Sequence, residues 1–187
     1  SKIHKIKIGR IVDLIAYRRD KDKFVKKIHD SKVKIKSNYE FDIKIYESLF
    51  DNTEQIVLSK GNIDNGMPVM VRVHVTDYFD NLFGEYGSDD ASLNKSVEVI
   101  QEHGRGILVL IRDSGKSIIN RLITNSSSGD NKSENEKDEL RIYGMGAQIL
   151  SELGVKEMIL LTNTEWKFIG LEAYGINIIE TRLLSEL

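Results

Sequence analysis

The stretch Leu140–Asn163, LRIYGMGAQILSELGVKEMILLTN, predicts a helix and a strand that share one core. Ile149, Leu150 and Leu153 recur at helical spacing, so one face of this segment is apolar. Gly154 follows the last of them and is the residue type that most often ends a helix. The next apolar run, Met158–Leu161, is short and continuous, which is typical of a buried strand. A helix that ends at Gly154 and leads into a buried strand is therefore expected.

The residues that follow predict a return of the chain to the same sheet. Thr162–Lys167 has the pattern of a helix that starts at the end of the strand, where backbone N–H groups can bind phosphate. The closing segment Ile169–Glu180, IGLEAYGINIIE, predicts a helix, a glycine turn and a final strand. Trp166 and Tyr174 are candidates for base stacking, although packing is the simpler role for both.

Upstream, a second helix lies between two further predicted strands. Met67–Val75 alternates, with valines on one face and Arg72 and His74 on the other. An arginine and a histidine at one strand end suit an anion site, while a hydrogen-bonded strand histidine is the alternative for His74. Ala91–His103 has helical spacing and is followed by a glycine. The run GILVLIR at Gly106–Arg112 predicts a buried strand.

The N-terminal half changes from helical to alternating periodicity. Ile8–Ile28 carries apolar residues at three- and four-residue spacing between lysines and arginines, which predicts an amphipathic helix. From Lys32 the period is two, with turn signals at Ser37-Asn38 and Asp51-Asn52, so half-buried antiparallel strands are expected. Asn125–Glu139 has no apolar residue and predicts a flexible surface loop. The fold class is α+β, with a mixed or antiparallel sheet and flanking helices.

Composition narrows the class of protein. The chain has 187 residues, enough for one domain with an appended helix, and its net charge of −2 gives no electrostatic case for nucleic acid or membrane binding. It has no membrane-length apolar run and no signal-peptide pattern, so a cytoplasmic protein is expected. Cysteine is absent, which excludes disulfides and thiolate chemistry. Because a charged helical pattern begins directly at Ser1, we expect a C-terminal fragment of a longer chain.

Several segments resemble the GTP cyclohydrolase II family of riboflavin biosynthesis. Arg72–Asp90, RVHVTDYFDNLFGEYGSDD, is similar to the family's metal-binding segment and matches it at Arg72, Val73, His74, Phe83, Gly84 and Asp89. Leu140–Asn163 and Ile169–Glu180 are similar to two further family segments. IVDLIAYRRDKDKFV, starting at Ile11, resembles the connector that in bifunctional chains follows a dihydroxybutanone phosphate synthase domain.

The resemblance implies a zinc site whose ligands are missing. The family's three zinc-ligand cysteines correspond to Asp77, Ser88 and Asp90, and neither a carboxylate cluster nor a hydroxyl replaces thiolate well at tetrahedral zinc. We therefore expect no zinc and no other cofactor. Asp77, Asp89 and Asp90 have the oxygen chemistry to bind Mg²⁺, but a cluster of solvated surface aspartates is the alternative.

The resemblance also implies the remaining site residues. Glu139 and Arg141 take the positions of the family's acid/base aspartate and its arginine, and Glu139 is longer by one methylene. Substrate contacts of the family correspond to Arg72, Gly115, Lys116, Thr162 and Lys167. Lys116 stands where the family has arginine, so the bidentate fork that suits phosphate is lost there.

Together these features predict a helical connector over residues 1–30 and a GTP cyclohydrolase II-like domain over residues 31–187, with a flexible loop at 124–139. We expect the domain to have lost most or all ring-opening hydrolysis of GTP and to act as a structural or regulatory part of a dihydroxybutanone phosphate synthase fusion. The alternatives are an active enzyme with an altered metal site and a module that binds GTP without hydrolysing it. The family also implies a homodimer.

Overall fold

The structure of the chain is a computed structural model. It describes residues 9–11, 13–14, 17, 22–36, 38–76, 88–112, 132–163 and 171–186, with the backbone alone at 88–90 and 132–140. The predicted helix at Thr162–Lys167 falls largely outside these residues, as do residues 125–131 of the predicted loop.

Among the described residues, a seven-stranded mixed sheet has the strand order β1-β2-β3-β5-β4-β6-β7. The strands β1, β2, β3 and β5 pair antiparallel, whereas β5, β4, β6 and β7 run parallel. This confirms the predicted α+β class with a mixed sheet. The strand bounds are β1 Val25–Ile35, β2 Tyr39–Ser48, β3 Glu54–Lys60, β4 Val69–Thr76, β5 Gly106–Arg112, β6 Glu157–Thr162 and β7 Asn177–Leu183.

The parallel strands all end at one side of the sheet, which we call the C-terminal edge. Thr76 of β4 lies opposite Arg112 of β5, and Thr162 of β6 lies opposite Leu183 of β7. Since β3 runs the other way, the β2–β3 turn lies at this same edge. The ends of parallel strands are where open α/β sheets generally bind ligands.

In the described part of the chain, two α-helices of 16 and 21 residues cover opposite faces of the sheet. Helix α1, Ser88–His103, packs Val97 and Ile100 against one face, and helix α2, Lys132–Glu152, packs Ile149 and Leu150 against the other. Short 3₁₀ helices follow at Leu171–Tyr174 and Leu184–Glu186. Within the described residues, none of the helices has the length and apolar character needed to cross a membrane.

The segment Leu140–Asn163 folds as its pattern predicts. Helix α2 ends before Gly154, whose φ of +82° is the left-handed conformation that favours glycine, and β6 follows. The period-two segments form the antiparallel strands β1, β2 and β3. The closing segment forms a 3₁₀ helix, a turn at Gly175 and β7.

The predicted helix over Ile8–Ile28 is wrong at its C-terminal end. Residues 11, 13, 14 and 17 are helical, but Val25–Ile28 belong to β1. The register of β1 shifts between Lys27 and His29. A bulge of this kind inserts one extra residue, so the alternation that normally marks a strand is interrupted there.

The predicted flexible loop is also shorter than expected. Residues Lys132–Glu139 form the first turns of α2. Their lack of apolar side chains concealed them, because apolar periodicity marks only the part of a helix that packs on a core. Glutamate and lysine have good intrinsic helix propensity, so a polar helix start is physically reasonable.

Candidate functional site

Three of the predicted site residues lie within the described part of the C-terminal edge, on two faces of the sheet. Arg72 on β4 follows Met70, which packs with the α1 cluster, and therefore faces α1. Thr162 ends β6 two residues after Leu160, which packs with the α2 cluster, and so faces α2. Arg141 belongs to α2 itself. The sheet therefore separates Arg72 from Thr162 and Arg141.

Arg72 is held by groups of the protein itself. Its side chain is 8% exposed, and its two terminal nitrogens donate to the Leu161 carbonyl oxygen and to Ser92 Oγ, each at 3.3 Å. Ser92 Oγ in turn donates to Asn163 Oδ1 at 3.0 Å. A charged donor with protein acceptors gives comparatively strong hydrogen bonds. Arg72 thus fastens β4 to the end of β6 and to the start of α1.

Neither polar partner in this network was predicted from the sequence. Ser92 has the sequence context of an ordinary helix residue, and Asn163 is the last residue of Leu140–Asn163, where no role was predicted for it. The shared face of Arg72 and His74 is confirmed by strand alternation. His74 is buried and lies opposite Leu110 on β5.

Arg141 lies over an aromatic ring at the β2–β3 turn. Its guanidinium carbon is 5.4 Å from the centroid of the Phe50 ring, which is a cation–π distance. The Phe50 ring lies 5.2 Å from that of Phe24 at an interplanar angle of 34°. Nothing in the sequence pattern linked either phenylalanine to the predicted catalytic arginine.

The β2–β3 turn is well fixed by hydrogen bonds. Asp51 Oδ1 accepts from the Thr53 backbone N–H at 3.2 Å and from Thr53 Oγ1 at 2.8 Å. Burial alone would raise the pKa of Asp51, but hydrogen bonds from Ser48 and Thr53, together with the positive charge of Arg141, hold that pKa below its usual value.

Gln55 connects this turn to the end of β5. Its side chain is fully buried, its amide nitrogen donates to Thr53 Oγ1 at 2.8 Å, and its oxygen accepts from the Arg112 backbone N–H at 2.6 Å. Both ends of a buried amide are thereby satisfied. The turn that carries Phe50 is consequently a fixed part of the C-terminal edge.

Comparison with known proteins identifies the family. The model of the GTP cyclohydrolase II family matches residues 26–182. The chain belongs to the GTP cyclohydrolase II family.

Full-length relatives are longer than this chain. It is 36% identical to the monofunctional riboflavin biosynthesis protein RIBA 3 of Arabidopsis thaliana, over 94% of this chain and 36% of the relative. It is 35% identical to the riboflavin biosynthesis protein RibBA of Chlorobium phaeovibrioides, over 94% of this chain and 45% of the relative. The chain therefore spans less than half the length of these two relatives.

A solved structure has the same fold. It is RibBX from A. baumannii, titled a two-domain 3,4-dihydroxy-2-butanone 4-phosphate synthase, with a TM-score of 0.58 and 23% identity. The similarity covers 97% of this chain and 47% of that one. At 23% identity, the similarity shows that this chain shares its fold with part of RibBX.

The zinc ligands implied for the cyclohydrolase II family do not fit this chain. No cysteine occurs anywhere in the sequence. In the described part of the structure, no group of three or more histidine, aspartate or glutamate residues is placed to hold a metal ion. Zinc sites are built mainly from thiolate and imidazole, with carboxylate as a single partner. The donor set at the family positions is therefore unsuited to zinc.

The other predicted site residues cannot be placed in this geometry. Asp77, Gly115, Lys116 and Lys167 lie outside the described residues, and the side chains of Asp89 and Asp90, needed for the magnesium alternative, are not described either. The backbones of Ser88 and Asp90 form the start of α1, and that of Glu139 lies in α2, without described side chains. Their assigned roles remain predictions.

Proposed function

We propose that this chain is a GTP cyclohydrolase II-like domain of riboflavin biosynthesis that has lost ring-opening hydrolysis and serves a dihydroxybutanone phosphate synthase as a structural or regulatory domain. The proposal rests on the residue types at the positions where the family has its zinc ligands. Aspartate and serine stand where the family places its zinc-ligand cysteines, and no other residue of the chain supplies a thiolate. A family reaction that depends on zinc coordinated by thiolates has no such centre here.

The arginines support a structural role. Arg72 donates to Leu161 and Ser92, and Arg141 lies on Phe50 beside Asp51. Both side chains thus have contacts that stabilise the domain without any ligand. The contacts of Arg72 and Arg141 within the fold explain why both arginines are present. Their presence therefore does not require that the chain still catalyses the family's reaction.

The relatives support the link to a synthase. RibBX is titled a two-domain synthase, and this chain matches 47% of it. The Arabidopsis relative is named monofunctional, so a family member of this kind can carry a single activity in a longer chain. The segment beginning at Ile11 resembles the connector of bifunctional chains, which suits attachment to a preceding synthase domain.

The direct test is release of formate from GTP by the purified chain, measured together with its zinc content. We expect neither formate above the enzyme-free rate nor zinc near one ion per chain. An active cyclohydrolase II assayed in parallel shows that the conditions permit turnover. Formate production that is abolished by chelation and restored by metal would overturn the proposal in favour of an enzyme with an altered metal site.

A triple substitution tests how far the loss extends. Asp77→Cys, Ser88→Cys and Asp90→Cys together restore the family's ligand types. We expect this variant to bind zinc without producing formate, because Lys116 and Glu139 also depart from the family pattern and errors near 1 Å in catalytic geometry cost on the order of 10²-fold in rate. Full turnover by the triple variant would show that ligand loss was the sole defect.

A GTP-binding module is the second candidate, favoured by the exposed, positively charged side chain of Arg141 at the C-terminal edge. Calorimetric titration with GTP separates the two proposals, since tight binding without formate release is the signature of a sensor. We also infer a homodimer from the family resemblance, to be measured by sedimentation equilibrium. If the domain is a structural partner of the synthase, its affinity for GTP should be negligible. The synthase should then be more stable when fused to the domain than without it.

A further inference from the structure

The loop that joins β3 to β4, residues 61–68, contains the single Asn-Gly pair of the chain, Asn65-Gly66. Both residues are exposed, and Gly66 has a φ of +77°. A Cβ added to Gly66 would meet nothing within 4 Å, and in the described part of the structure its backbone N–H makes no hydrogen bond. The backbone nitrogen next to the Asn65 carboxamide is therefore sterically open, and no described group competes for its proton.

Two hydrogen-bond donors hold the carboxamide oxygen of Asn65. Asn65 Oδ1 accepts from the Met67 backbone N–H at 3.2 Å and from Arg105 Nη2. Since both partners can only donate, the network identifies this side-chain atom as oxygen rather than nitrogen. Donors at a carbonyl oxygen stabilise the negative charge that develops there when a nucleophile adds to the carbon. The side-chain carbon of Asn65 is thus activated toward addition.

Arg105 has the free donor that a carboxylate would need. Arg10 and Arg182 each bind a carboxylate through Nε and Nη2, the two donors on one side of the guanidinium. Arg105 uses Nη2 for Asn65 Oδ1, whereas its Nε is buried without a hydrogen-bond partner in the described part of the structure. An amide has one acceptor oxygen and a carboxylate has two. A carboxylate at position 65 would therefore satisfy both donors.

We propose that Asn65 is a site of spontaneous deamidation whose aspartate product forms a bidentate ion pair with Arg105. The Gly66 nitrogen bonds to Asn65 Cγ and gives up its proton, and the Cγ–Nδ2 bond breaks to release ammonia, which carries that proton away. Water then adds to Cγ of the cyclic imide and breaks the new Cγ–N bond, which leaves an aspartate and restores the Gly66 N–H. Water is the sole co-reactant, and no electrons are gained or lost.

The position of the donors favours this product over isoaspartate. Isoaspartate forms when water opens the imide at the backbone carbonyl instead of at Cγ, and it lengthens the main chain by one methylene. Because Arg105 and Met67 polarise the Cγ carbonyl, opening at Cγ is favoured. The new ion pair would link the β3–β4 loop to the residues between α1 and β5. This inference does not depend on the proposed function, since it concerns the opposite end of the sheet from the C-terminal edge.

Peptide mapping by mass spectrometry after incubation of the folded chain at neutral pH tests the reaction. The tryptic peptide of residues 61–72 contains both Asn65 and Asn62. Asn62 is an internal control, because it is also exposed and its Oδ1 also accepts a backbone N–H two residues on, at 3.2 Å, but isoleucine follows it. We expect conversion at Asn65 and none at Asn62. The proposal is overturned if Asn65 remains an amide in the folded chain while the same peptide, synthesised and free, converts.

The Arg105→Gln variant separates activation from simple restraint. Loosening of the loop alone would speed deamidation, whereas loss of a charged donor at Oδ1 slows it. We expect a rate about threefold to tenfold lower, less than the loss of an oxyanion donor costs in a water-excluded active site. The ratio of aspartate to isoaspartate should also fall toward that of the free peptide. An unchanged or faster rate in Arg105→Gln would refute the role given to Arg105.

The Asn65→Asp variant tests the product directly. Its urea midpoint should exceed that of freshly purified wild-type protein by about 0.5 M, because a charge-assisted bidentate pair replaces one amide contact. The gain should disappear in an Arg105→Gln background, as a double-mutant cycle requires. Asn62→Asp changes the net charge equally and should give no gain. If Asn65→Asp is no more stable than the wild type, or if its gain persists without Arg105, the proposed ion pair is wrong.

Discussion

Replacement of Arg72 provides the sharpest test of whether a retained family arginine stabilises the fold or binds substrate. Arg72→Met preserves a long, unbranched side chain but removes the guanidinium group that donates to the Leu161 carbonyl oxygen and to Ser92 Oγ. Ser92→Ala removes one of these acceptors alone. The two substitutions and their combination form a double-mutant cycle in which the contribution of the Arg72–Ser92 bond is isolated from the rest.

The expected size follows from the geometry. Hydrogen bonds that involve a charged group contribute about 1.5–3 kcal/mol each. Both bonds of Arg72 measure 3.3 Å, longer than the common N–H···O distance, so the lower end applies and their sum is about 3 kcal/mol. Burying methionine in place of a charge recovers part of this, since a buried ion carries a desolvation penalty. We therefore expect Arg72→Met to lower the free energy of unfolding by about 1–3 kcal/mol, with a coupling to Ser92 of about 1 kcal/mol.

Urea unfolding followed by circular dichroism measures these quantities, with Arg182→Met as the control for loss of a partly exposed arginine. The control should change stability by less than about 0.5 kcal/mol. If Arg72→Met is as stable as the wild type and shows no coupling to Ser92, the structural role assigned to Arg72 is wrong. Loss of GTP binding by that same stable variant would instead assign Arg72 to ligand contact.

Four further substitutions test local features of the fold. Gly61→Ala should destabilise the domain by well over the ~1–2 kcal/mol that a left-handed backbone costs, because its Cβ would lie 2.6 Å from the Gly104 carbonyl oxygen. Gly66→Ala has a similar φ and open space, so in urea unfolding it should show the backbone cost alone. Asp51→Asn should lose stability at pH 7 relative to the wild type. The difference should vanish as the pH falls through the pKa of Asp51 in the folded protein, which lies below its ordinary value of 3.8. The native contacts that lower this pKa stabilise only the ionised carboxylate, so their contribution is lost once Asp51 is protonated. An unchanged difference at low pH would contradict this. Gln55→Leu should cost about 1–3 kcal/mol in the same unfolding assay, since it leaves a backbone N–H of β5 without its buried acceptor, and a neutral effect would show that the Gln55 bridge contributes nothing.

The fold was predictable wherever one side of a segment is buried and the other is not. Phe41 on β2 lies between polar neighbours, and Ile56 and Leu58 on β3 recur at a period of two; that period identified both strands. The signal failed at Val25–Ile28, where the bulge in β1 interrupts the alternation and the lysines suggest a helical face. It also failed at Lys132–Glu139, because a helix start that carries no apolar side chain has no periodicity to detect.

The candidate site was predictable only in part, since its contacts join residues that are distant in sequence. Strand alternation placed Arg72 and His74 on one face, which needs only local information. The bond from Arg72 to Leu161 crosses 89 positions of the chain, and no local pattern specifies it. The same holds for Phe50 and Arg141, which meet because the β2–β3 turn and α2 reach the same end of the sheet.

The two arginines lie on different faces of the sheet and therefore stabilise different parts of the domain. Arg72 fastens α1 to β4 and β6, while Arg141 connects α2 to the β2–β3 turn, so each stabilises a different helix at the same edge. In a domain held by a structural zinc ion, loss of the thiolates would remove folding free energy outright. Here two apolar clusters and these internal contacts hold the described core together. The stability of the domain is therefore sufficient to account for both arginines in a chain that has no thiolate ligands.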